Sequence, residues 1–157
     1  MLMSTYYSVM TMRDDLPLAV THEVRDACLC LHLQRAARVV ARRFDEAFRS
    51  FGITNGQFSL LMALNRPDMP RMSDVAPLLA MDRTTLNANL KPLQRRGLVE
   101  VLVDEDDRRV RRLKLLEPGR VLLARAVPVW RETHRQIEAA LPGLDSDRLR
   151  ADLISLS

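Results

Sequence analysis

Lysine is nearly missing from this chain of 157 residues, occurring only at Lys91 and Lys114 although Lys and Arg together number 24. Its positive charge is therefore almost all guanidinium. Cysteine is also scarce. Cys28 and Cys30 alone cannot build a disulfide scaffold, which points to a reducing cytoplasm. Five glycines leave no Gly-rich phosphate loop, and there is no nucleophile elbow and no supported acid/base pair. An enzyme is therefore not expected. His22, His32 and His134 lie far apart without metal-ligand spacing, so neither a metal site nor a cofactor is expected. No apolar run approaches the ~20 residues that a bilayer span needs. The opening "MLMSTYYSVMTMRDD" lacks the basic and apolar regions of a secretory signal, so no membrane partner is expected. Aromatics make up 4%, which predicts a core mostly of Leu, Val, Ala and Met.

What is present favours an anionic partner. The formal charge is +4 and the sequence pI about 9.7. Such a basic, arginine-rich balance suits nucleic acid. The length fits one domain with a substantial core.

Residues 1–20 show no sustained period and read as a flexible arm, followed by a single domain over 21–157. Cys30, Leu33, Ala37, Val40, Phe44, Ala47 and Phe51 recur at spacings of 3 and 4, predicting one continuous helical seam that stops at Gly52. Thr54 and Gln57 form a capping box ahead of the apolar run "FSLLMALN". Ser73 is the expected cap of a short helix, "SDVAPLLA". Met81 or Asp82 opens another, "DRTTLNANLKPLQRRG", despite Pro92 within it. "LVEVLV" and "VRRLKLL" read as two strands of a hairpin. Glu117-Pro118-Gly119 begins a long helix with a bend expected at Pro128. Asp145 or Ser146 caps the last, "DRLRADLISL".

The order is that of a helix-turn-helix followed by a wing, with the tight turn at Ala80-Met81. In this motif the second helix enters the major groove by its N-terminal residues. Here these are Arg83, Thr84, Thr85, Asn87 and Asn89, with Lys91 a turn further on, while Leu86, Leu90 and Leu93 form the buried stripe. Arg pairs with guanine and Asn with adenine through two hydrogen bonds each. Thr and Asn are also weaker helix formers than the Glu and Lys of an ordinary solvated face.

The stretch "LLAMDRTTLNANLKPLQRRGLVEVLVDEDDRRVRRLKLLEPGR" resembles the winged helix of MarR-type transcriptional regulators. The family's wing pattern, Asp-x-x-Asp-x-Arg, a strand and then Thr-x-x-Gly, falls here on Asp104, Asp107, Arg109, Val110 to Leu115 and Gly119. Leu116 stands where Thr is usual, so the following helix lacks its normal cap. The resemblance covers the chain from about Asp26 onward.

It implies a mainly α fold with a small β-hairpin wing (α+β), a winged helix-turn-helix over about 54–116, and long dimerisation helices over about 23–51 and 117–157. Arg109, flanked by Arg108 and Arg111, takes the place that reaches the minor groove, and Asp107 the place that pins it by an ion pair. Ser73 stands at a helix N-terminus, a natural phosphate site. The implied protein is a homodimer that reads a pseudo-palindromic operator in double-stranded DNA in a bacterial or archaeal cytoplasm. The resemblance implies a repressor released by a small-molecule effector, with activator and dual-function versions also known in the family. Small aromatic or acyl anions bind members in a cleft that His32, Arg35, Phe58 and Met62 are candidates to line. Cys30 aligns with the reactive cysteine of the organic-hydroperoxide-sensing branch, which makes Cys28 and Cys30 redox candidates. Gln34 and Phe44 stand where two tyrosines of that branch are expected. The rival from another class is a winged-helix module that binds protein through its wing. It calls for apolar or acidic residues on the recognition helix and wing tip.

Overall fold

The computed structural model describes residues 16–156 except 142 and 144. The chain divides into two compact units, Met1–Val39 and Val40–Ser157. In the first, α1 (Leu18–Ala27) ends at Cys28, whose ψ of 103° is extended. Helix α2 (Leu29–Ala47) begins one residue later and runs on into the second unit. Two sequence expectations change here. Leu18 to Val20 are helical rather than part of an arm, while residues 1–15 of that arm lie outside the described residues. Cys28 also sits in a break rather than on the same helix as Cys30. The break is satisfied locally: Cys28 N–H donates to the Val24 carbonyl, His32 N–H donates to that of Cys28, and His32 Nε2 lies 3.2 Å from the Asp26 carbonyl.

The seam from Cys30 does not stay α-helical as far as Phe51. Helix α2 stops at Ala47 and a 3-10 turn follows over Arg49–Phe51, ending at Gly52 with φ 63°. Tightening of this kind is common at helix C-termini. Here Arg96, which sequence reading passed over, donates to the exposed carbonyls of Gly52 at 2.6 Å and Phe51 at 2.9 Å. The core of the second unit is built on leucines with a phenylalanine stack, Phe44–Phe48–Phe58, with ring centroids 5.9 and 4.6 Å apart. Three of the chain's four phenylalanines thus fill the centre, and among the described residues methionine contributes no fully buried side chain.

Helix α3 (Asn55–Ala63) starts with the predicted Thr54–Gln57 capping box. Asp45 adds an acceptor for the Asn55 N–H at 2.6 Å. Helices α4 (Met72–Leu78) and α5 (Arg83–Arg95) form the helix-turn-helix. Their turn has Schellman geometry: Met81 N–H donates to the Ala76 carbonyl and Ala80 N–H to that of Pro77. Ala80 takes the left-handed position with φ 49°. Helix α5 begins at its predicted cap, Asp82, which accepts from Thr85 N–H at 2.7 Å. Pro92 is accommodated within it.

Strands β1 (Val99–Val103) and β2 (Arg111–Leu115) pair antiparallel, Val101 opposite Leu113. The chain ahead of α4 joins them: Leu113 N–H donates to the Pro70 carbonyl, and Arg71 bridges Arg112. This pairing explains why Ser73 is not the cap. The segment passes from sheet into helix at Arg71, and Ser73 falls inside the first turn with its hydroxyl on Asp74. Helix α6 (Glu117–Ala139) runs through Pro128 without interruption and has no side-chain cap at Leu116. Helix α7 (Ser146–Ile154) is capped by Asp145. No described helix is long and apolar enough to cross a membrane.

Candidate nucleic-acid interface

Burial of Leu86, Leu90 and Leu93 fixes which way α5 faces. Thr84, Ala88, Lys91 and Arg95, at spacings of 4, 3 and 4, form its exposed stripe. Arg95 was missed in the sequence, although the same helical spacing identifies it. Thr85 and Asn89 are less free than the sequence suggests. The Thr85 hydroxyl donates to Asp82 at 3.1 Å, and the Asn89 amide donates to the Thr85 carbonyl at 3.0 Å. The Asn89 side-chain oxygen also lies against Gly56 of α3, 3.2 Å from where a Cβ would stand. Asn89 therefore occupies the flank between helices instead of the outer face, because α5 rotates to bury its leucines. Asn87 is half-buried on the other flank, and Arg83 is exposed at the first turn.

The wing is organised by one carboxylate. Asp104 is 5% exposed. Its Oδ1 accepts from the backbone N–H of Asp106 at 3.0 Å and of Asp107 at 3.1 Å, and its Oδ2 is ion-paired with Arg112 Nε. Arg112 Nη1 donates at 2.9 Å to the Met69 carbonyl. The Arg112 guanidinium, followed by the Asp107 N–H, holds the Asp104 carboxyl below the usual carboxylate range. Asp104 is thus turned inward, away from any polyanion. Arg111 closes the tip by donating to the Arg108 carbonyl at 2.7 Å and the Val110 carbonyl at 3.2 Å.

The expected ion pair between Asp107 and Arg109 is replaced by a backbone contact. Asp107 accepts from the Arg109 N–H at 2.9 Å, an Asx-type turn, and the Arg109 side chain is exposed. The short turn after Asp107 brings its carboxylate to the main chain first. Arg108 is likewise exposed.

Four of the residues singled out in the sequence converge. Ser73, Arg83, Arg109 and Arg111, together with Met72, Ala76, Leu86 and Val110, line a cleft of about 250 Å³ between α4, α5 and the wing. It joins an apolar floor to the side chains of three arginines, a combination suited to a phosphate-bearing chain that fits against two helices and a hairpin.

A second cleft, of about 460 Å³, lies between α3 and α6 and is lined by Phe58, Ser59, Met62, Val127, Trp130 and Arg131. Phe58 and Met62 were expected there; Trp130 and Arg131 were not, since nothing in the sequence says which face of α6 meets α3. His32 and Arg35 belong to the first unit and are exposed on α2. Cys30 is exposed there too, with the Gln34 amide 3.3 Å from its sulfur, and Cys28 is half-buried. Among the described residues no three of His, Cys, Asp and Glu are grouped to hold a metal ion.

Comparison with known proteins places these features in one family. A model of the MarR family matches residues 51–110. The transcriptional regulator MosR of Mycobacterium tuberculosis, solved in complex with DNA, is 37% identical, with a TM-score of 0.74 over 82% of this chain and 92% of that one. The transcriptional repressor CouR, solved bound to a 23-mer DNA duplex, is 30% identical, with a TM-score of 0.67 over 85% and 92%. Among curated proteins, the regulator PecS of Dickeya dadantii is 26% identical over 122 residues, 76% of this chain and 74% of its own length. The helix-turn-helix, the inward-capped wing and the identity to MosR along nearly all of that protein agree: the chain belongs to the MarR family of transcriptional regulators.

Proposed function

We propose that this regulator binds double-stranded DNA as a homodimer, in the cytoplasm, and represses genes until a small molecule releases it. The observation that carries the reading is the convergence of Ser73, Arg83, Arg109 and Arg111 on one cleft beside the exposed stripe of α5. Cations and hydrogen-bond donors on both helix and wing meet the duplex backbone while α5 lies in the major groove. MosR and CouR, each solved with DNA, support it. The exposed stripe of α5 carries Thr84, Lys91 and Arg95 rather than the apolar or acidic surface of a protein-binding module, and the wing tip exposes Arg108 and Arg109 beside Glu105, Asp106 and Asp107.

Homodimerisation is supported by apolar side chains left exposed on α1 (Leu18, Val24) and on α7 (Leu149, Leu153). A two-fold dimer presents two copies of α5 to half-sites about 34 Å apart. The cleft between α3 and α6 is the candidate effector site, with an aromatic wall at Phe58 and Trp130 and one cation, Arg131, suited to an aromatic or acyl anion. An effector that prefers a dimer with mismatched half-site spacing lowers DNA affinity by its differential affinity for the two states. The exposed Cys30 sulfur, with an amide donor beside it, supports a second reading in which oxidation is the releasing signal.

Fluorescence anisotropy with the duplex upstream of the protein's own gene tests the reading. Tight binding with a steep fall in affinity as salt rises is expected, because several phosphate contacts release counterions. Weak, salt-insensitive binding refutes it. Release by aromatic acids, as against release by peroxide that Cys30→Ser abolishes, separates the two signals.

A further inference from the structure

We infer that Arg112 is a positioning residue for the wing, setting the place of Arg109 through Asp104 and the Met69 carbonyl; this rests on the reading that the wing meets DNA. Of the five bases in the block Arg108 to Lys114, Arg112 is the one whose side chain is turned inward, and its charge is spent on Asp104. Its guanidinium forks. Nε holds the Asp104 carboxylate in the wing, and Nη1 holds the Met69 carbonyl in the loop ahead of α4. From Asp104 the connection continues to the N–H groups of Asp106 and Asp107, and from the Asp107 carboxylate to the N–H of Arg109. The backbone that carries Arg109 is thus referenced, link by link, to the segment that enters the helix-turn-helix. No other side chain in the block spans both sides. A lysine cannot replace it, because an ammonium is a point charge without the planar fork. Asp104, buried and ionised, also loses its counter-charge if Arg112 is neutralised, so the turn it organises loosens.

The test combines amide hydrogen exchange with a double-mutant cycle. Arg112→Gln is expected to speed exchange at the Asp106, Asp107 and Arg109 amides by roughly tenfold and to weaken operator binding by a similar factor. In that background Arg109→Ala is expected to cost much less than it does in the wild type, since the side chain is no longer held in place. Arg112→Lys keeps a charge beside Asp104, which guards the fold, and is expected to restore only part of both effects. Unchanged exchange at those amides overturns the proposal. So do strictly additive losses for Arg112→Gln and Arg109→Ala, and so does a salt slope that falls by about 0.9 in Arg112→Gln, which marks a direct phosphate contact instead. If the wild type binds no duplex, the DNA reading fails, and the exchange measurement alone still decides whether Arg112 holds the wing.

Discussion

Gly119 packs so closely on Leu98 that a methyl group on its α-carbon would stand 2.4 Å from the Leu98 carbonyl oxygen and 2.6 Å from Cδ1 of Leu115. The same carbonyl accepts from the Leu116 N–H at 3.0 Å, so the start of α6 is fastened to the start of β1. Backbone cannot yield as a flexible side chain can. Gly119→Ala is therefore expected to destabilise the protein by about 1–3 kcal/mol, the range for overpacking. Urea denaturation measures it, and a midpoint within error of the wild type would contradict the contact.

Ala80 offers the opposite opportunity. It occupies the left-handed position of a Schellman turn that Gly97 fills at the end of α5, where φ is 65°. An L-residue there carries a steric cost of about 1–2 kcal/mol, partly offset because glycine loses more entropy on folding. Ala80→Gly is expected to raise stability by about 0.5–1 kcal/mol with the helix-turn-helix unchanged, as read from the thermal midpoint. A lower midpoint would count against the turn geometry.

Asp104 makes stability depend on pH at the acid end. Its carboxyl is depressed in the folded protein by the Arg112 guanidinium and the Asp107 N–H. A depressed group stabilises the fold above its unfolded value of about 3.9, and that contribution is lost as pH falls through the folded value. Urea midpoints are expected to decline below about pH 4 more steeply in the wild type than in Asp104→Asn, which is less stable at neutral pH. Parallel curves for the two proteins would remove Asp104 from the acid response.

Arg95 and Arg109 are expected to act on DNA differently. Arg95 lies at the far end of the exposed stripe of α5, where a phosphate is the accessible partner. Arg95→Ala is expected to lower the slope of log affinity against log salt by about 0.9 on operator and unrelated duplexes alike. Arg109→Ala is expected to cost more on the operator than on unrelated DNA, because a guanidinium in a narrow minor groove reads shape. Anisotropy titrations on both duplexes distinguish these patterns.

Much of this was legible in the sequence because the signals are local. The capping box at Thr54 and Gln57, the Asp82 cap, the leucine stripe of α5 and the hairpin each depend on residues a few positions apart. What escaped depends on long-range packing. Arg96 reaches carbonyls more than 40 positions away. Ser73 loses the capping role because Pro70 and Arg71 pair with β2. Asp107 and Arg109 lie at the expected wing positions, but their contact runs through the backbone, and only three-dimensional structure shows Asp104 turned inward to Arg112.

The pairing of Pro70 and Arg71 with β2 has a mechanical consequence. A lone two-stranded hairpin is marginally stable and free to swing. Here the chain that enters α4 bridges to β2, and the Leu98 carbonyl fastens the open end of the hairpin to the start of α6. Wing and helix-turn-helix are therefore tied to each other through the backbone. In the proposed dimer, a signal that changes the distance between the two copies is expected to move each wing together with its helix-turn-helix, leaving the grip of one copy on its half-site unaltered.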